Sequence, residues 1–122
     1  MNVIRRTEHV GADAPQPKGR FHGHAAQHTL HETDQQTRGS FVRFEPGAHT
    51  HWHAHSGGQL IHIVEGRARV QSWGDAVVSL EVGDTAVAPP DEKHWHGASA
   101  DGPMTQLALT SGEVTWMEDA ET

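Results

Sequence analysis

The side chains with the clearest capacity for chemistry are histidines, which lie in two groups at a spacing of two residues. The first group occupies alternate positions along one stretch: His49, His51, His53 and His55. The second group follows a turn rich in Gly and Pro: His94 and His96. Successive side chains of a strand point to opposite faces, so residues two apart share a face. Two strands that carry such pairs can therefore direct several imidazoles at one metal ion.

Glycines and a proline stand at regular distances from these histidines. From Gly47, five residues lead to His53, one to His55, three to Gln59 and six to Gly66. From Gly83, five residues lead to Pro89, and four more lead to His94. A solvated His-rich loop, or a metal-binding tract without catalytic purpose, would not need this pattern. The spacing therefore favours a built metal site.

This double spacing resembles that of the cupin superfamily. The two cupin motifs read Gly-x5-His-x-His-x3-4-Glu-x6-Gly and Gly-x5-Pro-x-Gly-x2-His-x3-Asn. Three positions depart from them: Gln59 replaces Glu, Asp91 replaces Gly and Ala98 replaces Asn. The match is specific because several fixed spacings agree at once.

The pattern of strands and turns predicts the fold class. Turn signals recur about every eight to twelve residues between short strand-like segments, and no segment resembles a helix, which indicates an antiparallel barrel or sandwich. The resemblance makes this an all-β, single-domain cupin, a small jelly-roll-type antiparallel β-barrel. We expect one domain over residues 1–122, with N-terminal edge strands and loops over 1–40, the barrel core over 41–110 and a tail over 111–122.

Composition excludes several classes of partner. The net charge is −7 with neutral His and no basic patch is present, so we expect no nucleic-acid partner. No stretch approaches the ~20 apolar residues of a membrane span, and the N-terminus lacks the apolar run of a signal peptide. We therefore expect no membrane partner and a cytoplasmic location. The hydrophobic content of only 34%, together with the cupin resemblance, predicts a homodimer or a higher homo-oligomer.

The predicted metal ligands are His53, His55, Gln59 and His94, and all are neutral. Imidazole suits Zn, Cu, Fe and Ni, while an oxygen ligand shifts the preference towards harder ions such as Mn. The chain has no Cys and so offers no thiolate. A divalent ion among neutral ligands keeps its full charge and acts as a Lewis acid on a small-molecule substrate. We expect Mn first, with Fe, Ni or Zn as alternatives.

His96 is our candidate catalytic residue. It lies two residues after His94, and an ordinary imidazole pKa of about 6.5 suits proton transfer near neutrality. The simpler alternative is a histidine that only hydrogen-bonds a neighbour. The residues that we expect to line the substrate pocket are Ser40, Val42, His51, Ile61, Gln106 and Ala108.

Further segments are similar to a smaller group of cupins, the bacterial manganese-dependent hydroxynitrile lyases. These segments are 44–48, 92–98, 104–105 with 107–108, and 116–118. The resemblance implies reversible C–C cleavage of a cyanohydrin to an aldehyde and HCN. The lyases carry a histidine, thought to help in proton handling, where this chain has Gln106, and a carboxamide cannot act as a base.

Three other functions agree with the same set of ligands. They are an Fe-, Ni- or Mn-dependent cupin dioxygenase, a metal-dependent isomerase or ring-opening enzyme, and a non-enzymatic metal-binding cupin. Oxygen consumption would identify the dioxygenase, cyanide release would identify the lyase, and a barrel filled by protein side chains would identify the non-enzyme.

Overall fold

A computed structural model describes residues 1–5, 10–15, 19–33 and 36–120. Residues 6–9, 16–18 and 34–35 of the predicted N-terminal segment, and 121–122 of the predicted tail, lie outside the described residues. The strands are β1 (Val10–Pro15), β2 (Phe21–His22), β3 (Ala25–Glu32), β4 (Thr37–Phe44), β5 (His49–Thr50), β6 (His53–His55), β7 (Gln59–Glu65), β8 (Ala68–Ser72), β9 (Val78–Leu80), β10 (Thr85–Ala88), β11 (His94–Ala98), β12 (Met104–Ser111) and β13 (Val114–Trp116). None of the described residues belongs to a helix long and apolar enough to cross a membrane.

The strands form two sheets in which every pairing is antiparallel. The first sheet has the order β1-β3-β4-β12-β7-β10, and the second contains β13-β6-β11-β5-β2. β5 and β6 follow one another along one edge of β11, while β8 pairs with its other edge and carries β9. This arrangement confirms the predicted antiparallel, all-β fold class.

The inner face of the first sheet is polar at one end and apolar at the other. Burial alternates along β4, β7 and β12 because only every second side chain points inward. Cross-strand pairing places Thr110 between Gln59 and Arg38 at one end. At the other end, Phe44 pairs with Met104 in the apolar core. The inner face of the sheet thus gathers polar side chains at one end and apolar core residues at the other.

β4 begins four residues before the predicted start of the barrel core at Phe41. Thr37 pairs with Ser111, and the ladder continues without a break to the pairing of Phe44 with Met104. Arg38 therefore belongs to the same strand face as Ser40. The N-terminal strands β2 and β3 also pair within the two sheets, with β5 and β4 respectively.

The C-terminal tail packs on the outside of the second sheet. The backbone N–H of Trp52 donates to the Glu118 carbonyl at 2.9 Å, and the N–H of Met117 donates back to the Trp52 carbonyl at 2.8 Å. A small apolar cluster of Trp52, Trp95 and Ala120 lies beneath. The tail is thereby fixed against the segment that joins β5 to β6.

Candidate metal centre

β6 presents His53 and His55 to the interior, as the alternation predicts. His53 pairs with His94 across to β11 and with Trp116 of β13. The Nδ1–H of His53 donates to the His51 carbonyl at 2.9 Å. This bond fixes the tautomer and leaves Nε2 of His53 as a lone-pair donor directed at the interior.

A loop held against β6 delivers His94. The N–H of Asp91 donates to the His55 carbonyl at 2.8 Å, and Asp91 has φ +65°, a left-handed conformation that Asp tolerates better than most residues. This explains why the cupin motif has Gly at the position of Asp91. At the end of the loop, Nδ1–H of His94 donates to the Glu92 carbonyl at 2.9 Å. His94, like His53, keeps Nε2 for the interior.

The turn after β6 brings Gln59 back towards the histidines. Gly58 has φ +85°, and a Cβ there would lie 2.9 Å from the Ala88 carbonyl oxygen, so both backbone conformation and space require glycine. Nε2 of Gln59 donates to Thr110 Oγ1 at 3.1 Å. That bond orients the amide and turns its Oε1 towards Nε2 of His94, at 2.9 Å.

The contact between Gln59 and His94 fits a bound cation. A neutral imidazole carries only one N–H, and His94 already uses its Nδ1–H on Glu92. Its Nε2 and the Gln59 Oε1 are therefore two lone-pair donors held 2.9 Å apart. Bonds of about 2.1 Å place adjacent ligands of an octahedral ion about 3.0 Å apart. A metal ion satisfies both lone pairs at this separation.

Four imidazoles converge at this point. Ring centroids lie 4.4 Å apart for His53 and His94, 4.9 Å for His53 and His55, and 5.2 Å for His53 and His96. One ring nitrogen each from His53, His94 and His96 lies within 4.8 Å of the others. The ring nitrogens of His55 and His96 are buried and have no hydrogen-bond partner in the described part of the chain. Buried unpaired nitrogens are costly, and a metal ion would satisfy them.

Burial keeps these histidines neutral. Desolvation, with a smaller effect from His94, lowers the pKa of His53 from 6.5 to about 3. Desolvation, followed by the charges of His94 and Arg38, lowers the pKa of His55 to about 4. Desolvation also lowers the pKa of His94, and that of His96 well below its ordinary value. Neutral imidazole is the form that binds metals.

His96 is buried, like the other histidines of the cluster, and contacts the apolar core. It is only 3% exposed, and its ring meets the edge of Phe44 at a centroid distance of 5.8 Å. The structure brings it within reach of the same ion as His53 and His94. This position agrees with either of two roles for His96, an additional metal ligand or a neutral base beside the metal.

A cavity of about 110 Å³ opens from the cluster. The predicted site residues that line it are Ser40, Val42, His53, His55, Gln59, His96, Gln106 and Ala108. Gln106 is fully buried, and neither atom of its amide makes a hydrogen bond within the described ranges. The amide lies close enough to His96 to oppose part of the lowering of that ring's pKa, and its hydrogen-bonding groups can also bind a molecule in the cavity.

Two predicted pocket residues do not line the cavity. The chain bends at 51–52, between β5 and β6, so His51 leaves the inward phase and its Nε2 lies 3.7 Å from Asp119 on the outside. Only its carbonyl reaches the site, through His53. Ile61 points inward, but it packs in the apolar core with Val42 and Ile63 and does not reach the cavity.

Several cavity residues escaped the sequence analysis. Arg38 lies two residues before Ser40, and Thr110 two residues after Ala108, so extending each strand phase by one step would have found both. Trp116 also lines the cavity, with its ring 4.7 Å from that of His53. No local pattern connects this tail residue with the histidines.

Comparison with known proteins gives matches over most of the chain. A sequence profile described as a cupin domain matches residues 40–110, more than half of the chain. A protein named (R)-mandelonitrile lyase, from Granulicella tundricola, is 44% identical over 84 residues, which are 66% of this chain and 64% of that protein. The match thus spans less than two thirds of the lyase's length.

Solved structures agree on the fold. A cupin-like protein from Thermotoga maritima is 30% identical, with a TM-score of 0.84 over 90% of this chain and 88% of that chain. A cupin-2 domain protein from Rhodospirillum rubrum is 18% identical, with a TM-score of 0.73 over 99% and 80% of the two chains. At 18% identity, the similarity to the Rhodospirillum rubrum protein concerns the fold alone. Together they confirm the predicted jelly-roll class.

Proposed function

The chain belongs to the cupin family, and from that premise we propose that it is a metal-dependent lyase that cleaves a small cyanohydrin into an aldehyde and HCN. The observation that carries the proposal is the convergence of neutral imidazoles and one carboxamide on a cavity of about 110 Å³. The 44% sequence identity of the chain, over 84 residues, to a protein named (R)-mandelonitrile lyase supports the choice of reaction.

The metal would be held by His53, His55, Gln59 and His94. His53, His55 and Gln59 line the cavity, and His94 directs its Nε2 at Gln59. The set is neutral, which suits a divalent ion, and we propose manganese because an oxygen ligand completes it. When bound, the ion supplies Lewis acidity to the hydroxyl oxygen of the substrate. The residues around it then decide how the substrate is held and where its proton goes.

The proton of the hydroxyl group is assigned to His96. Burial lowers the pKa of this ring well below the 6.5 expected from the sequence, so His96 is a weak base that holds the proton only transiently. Its lone pair accepts the proton as the C–C bond breaks and returns it to cyanide. Gln106 offers an unpaired amide that can hydrogen-bond the substrate without taking a proton. Arg38 lines the cavity and contributes to the lowered pKa of His55, so its positive charge would favour the cyanide anion.

Racemic mandelonitrile is the substrate that tests this proposal. We expect chelator-stripped protein reconstituted with Mn²⁺ to release benzaldehyde and cyanide in equal amounts, and stripped protein to release neither above background. His96→Gln should lower kcat by about 10²- to 10⁴-fold while the manganese content stays unchanged. Loss of manganese in His96→Gln would make His96 a ligand instead of the base.

Each alternative function predicts a different activity of the reconstituted protein. Uptake of oxygen with a dicarbonyl or flavonol substrate, and no cyanide from mandelonitrile, would replace the lyase with a dioxygenase. Isomerisation of a sugar-derived acid under anaerobic conditions would indicate the isomerase. Stoichiometric metal with none of these activities would leave a metal-binding cupin.

We also propose that the chain forms a homodimer through the outer face of the first sheet. Leu60 stands between Val87 and Leu109 in the ladder, which gives an apolar row across three strands. Val87 is 67% exposed and Leu109 47% exposed. A second copy would cover this row and remove apolar surface from water.

Light scattering tests the dimer. We expect a mass twice the 13.3 kDa of one chain for the wild type, and one chain's mass for Leu109→Glu, because a carboxylate would be buried at the interface. Val82→Glu is the control, since Val82 is 61% exposed but lies in a turn and not in the row of Leu60, Val87 and Leu109. A monomeric wild type at micromolar concentration would contradict the proposal.

A further inference from the structure

A second group of metal-ligating side chains lies outside the cavity, where the C-terminal tail crosses β2 and β5. His22 and His49 are direct neighbours in the pairing of these strands, with rings stacked at 4.8 Å. Asp119 lies opposite them on the tail. One ligand atom from each of the three lies within 4.8 Å of the others. We propose that His22, His49 and Asp119 form a second metal site, for Zn²⁺, that fastens the tail to the barrel.

The distances support a metal better than they support direct hydrogen bonds. His49 Nε2 lies 3.5 Å from Asp119 Oδ1, and His22 Nδ1 lies 3.5 Å from Asp119 Oδ2. Hydrogen bonds between nitrogen and oxygen are about 2.7–3.2 Å long. Zinc bonds of about 2.0–2.1 Å place the ligand atoms of a tetrahedron about 3.4 Å apart. The carboxylate and the two imidazoles are thus at the separation of zinc ligands.

His51 provides a further nitrogen at the same carboxylate. Its Nε2 lies 3.7 Å from Asp119 Oδ1, and the bend at 51–52 that removes it from the cavity directs it here. The ligand atoms that all lie within 4.8 Å of one another come from His22, His49 and Asp119, so His51 is a neighbour of the carboxylate and not a member of that group. Two imidazoles and one carboxylate suit zinc, and no thiolate is required.

One existing hydrogen bond must be exchanged when zinc binds. His49 Nε2–H donates to the Ala120 carbonyl at 2.7 Å. Coordination through this nitrogen moves the ring proton to Nδ1, where the Gly47 carbonyl lies at 3.2 Å and can accept it. The imidazole stays neutral, and the Ala120 carbonyl is then free to turn to solvent or to approach the ion.

The outer site would influence the cavity through the tail. Trp116, three residues before Asp119, lines the cavity and packs against His53. Zinc at the outer site would fix the tail segment that contains Trp116. We therefore expect zinc to raise the melting temperature of the protein even when the inner site is disabled.

The test is a count of zinc equivalents by elemental analysis after equilibrium dialysis of the full, untagged chain. We expect two equivalents for the wild type, one for His94→Ala, one for His22→Ala or Asp119→Asn, and none for His94→Ala combined with Asp119→Asn. His22 and Asp119 are exposed, so their replacement should leave the fold intact, which circular dichroism verifies. His24→Ala is the matched control, an exposed histidine outside the cluster, and should keep both equivalents.

Titration calorimetry of His94→Ala with zinc should report a single binding site, and the same titration of His94→Ala combined with Asp119→Asn should report none. The proposal is overturned if His94→Ala binds no zinc. It is equally overturned if Asp119→Asn binds as much zinc as His24→Ala. Neither result depends on lyase activity, so failure of this site and failure of the proposed function are distinguishable.

Discussion

His94→Ala is expected to leave the inner site without manganese and to reduce mandelonitrile cleavage to the level of metal-stripped protein. The side chain supplies the lone pair that faces Gln59 Oε1 at 2.9 Å, and its ring lies 4.4 Å from that of His53. Replacing His94 with Ala removes one metal ligand and leaves Gln59, a second ligand, without its neighbour. We expect manganese affinity to fall by more than about 100-fold, since even groups that only support ligands cost 10–100-fold.

Elemental analysis after dialysis against manganese, with the cleavage assay on the same samples, measures both effects. His31→Ala is a suitable control because this histidine is exposed on β3 and outside the cavity lining. It should keep one equivalent of manganese and the wild-type rate. A His94→Ala protein that retains stoichiometric manganese would remove His94 from the ligand set and weaken the whole assignment.

The metal-free protein is expected to lose about 4 kcal/mol of unfolding free energy between pH 7 and pH 5 through His53 and His55 alone. The pKa of His53 is lowered to about 3 and that of His55 to about 4. Between these values and the ordinary pKa of about 6.5, the unfolded chain binds protons that the folded chain does not. Stability is therefore complete above pH 6.5 and falls as the pH falls, by about 2 kcal/mol per histidine at pH 5.

Urea unfolding followed by tryptophan fluorescence, at pH 7 and pH 5 and at fixed protein concentration, measures this loss. Replacing both histidines, His53→Gln with His55→Gln, should remove about 4 kcal/mol of the difference between the two pH values, whatever the variant does to stability at pH 7. A double variant that loses as much stability as the wild type would show that these two side chains are not the neutral buried groups we describe.

Local spacing determined much of this protein. The alternation of strand side chains placed His53 and His55 on one face, and the two-residue steps from Ser40 to Val42 and from Gln106 to Ala108 indicated cavity walls. The Gly–Gly turn before Gln59 and the Pro-rich loop before His94 were also visible. These features depend on neighbours in the sequence, so the pattern alone predicts them. The ligand set of His53, His55, Gln59 and His94 stays a prediction, and the histidines whose ring nitrogens lie within 4.8 Å of one another are His53, His94 and His96.

Long-range packing decided the rest. Arg38 and Thr110 join Gln59 only because the registers of β4, β12 and β7 align, and a register is set between strands. The bend at 51–52 moved the His51 side chain off the inner face of the sheet. A single irregular residue in a strand reverses the face to which the side chains before it point. Tail docking placed Trp116 beside His53 and Asp119 beside His22. Contacts between segments this far apart depend on the folded surface, which the local sequence does not encode.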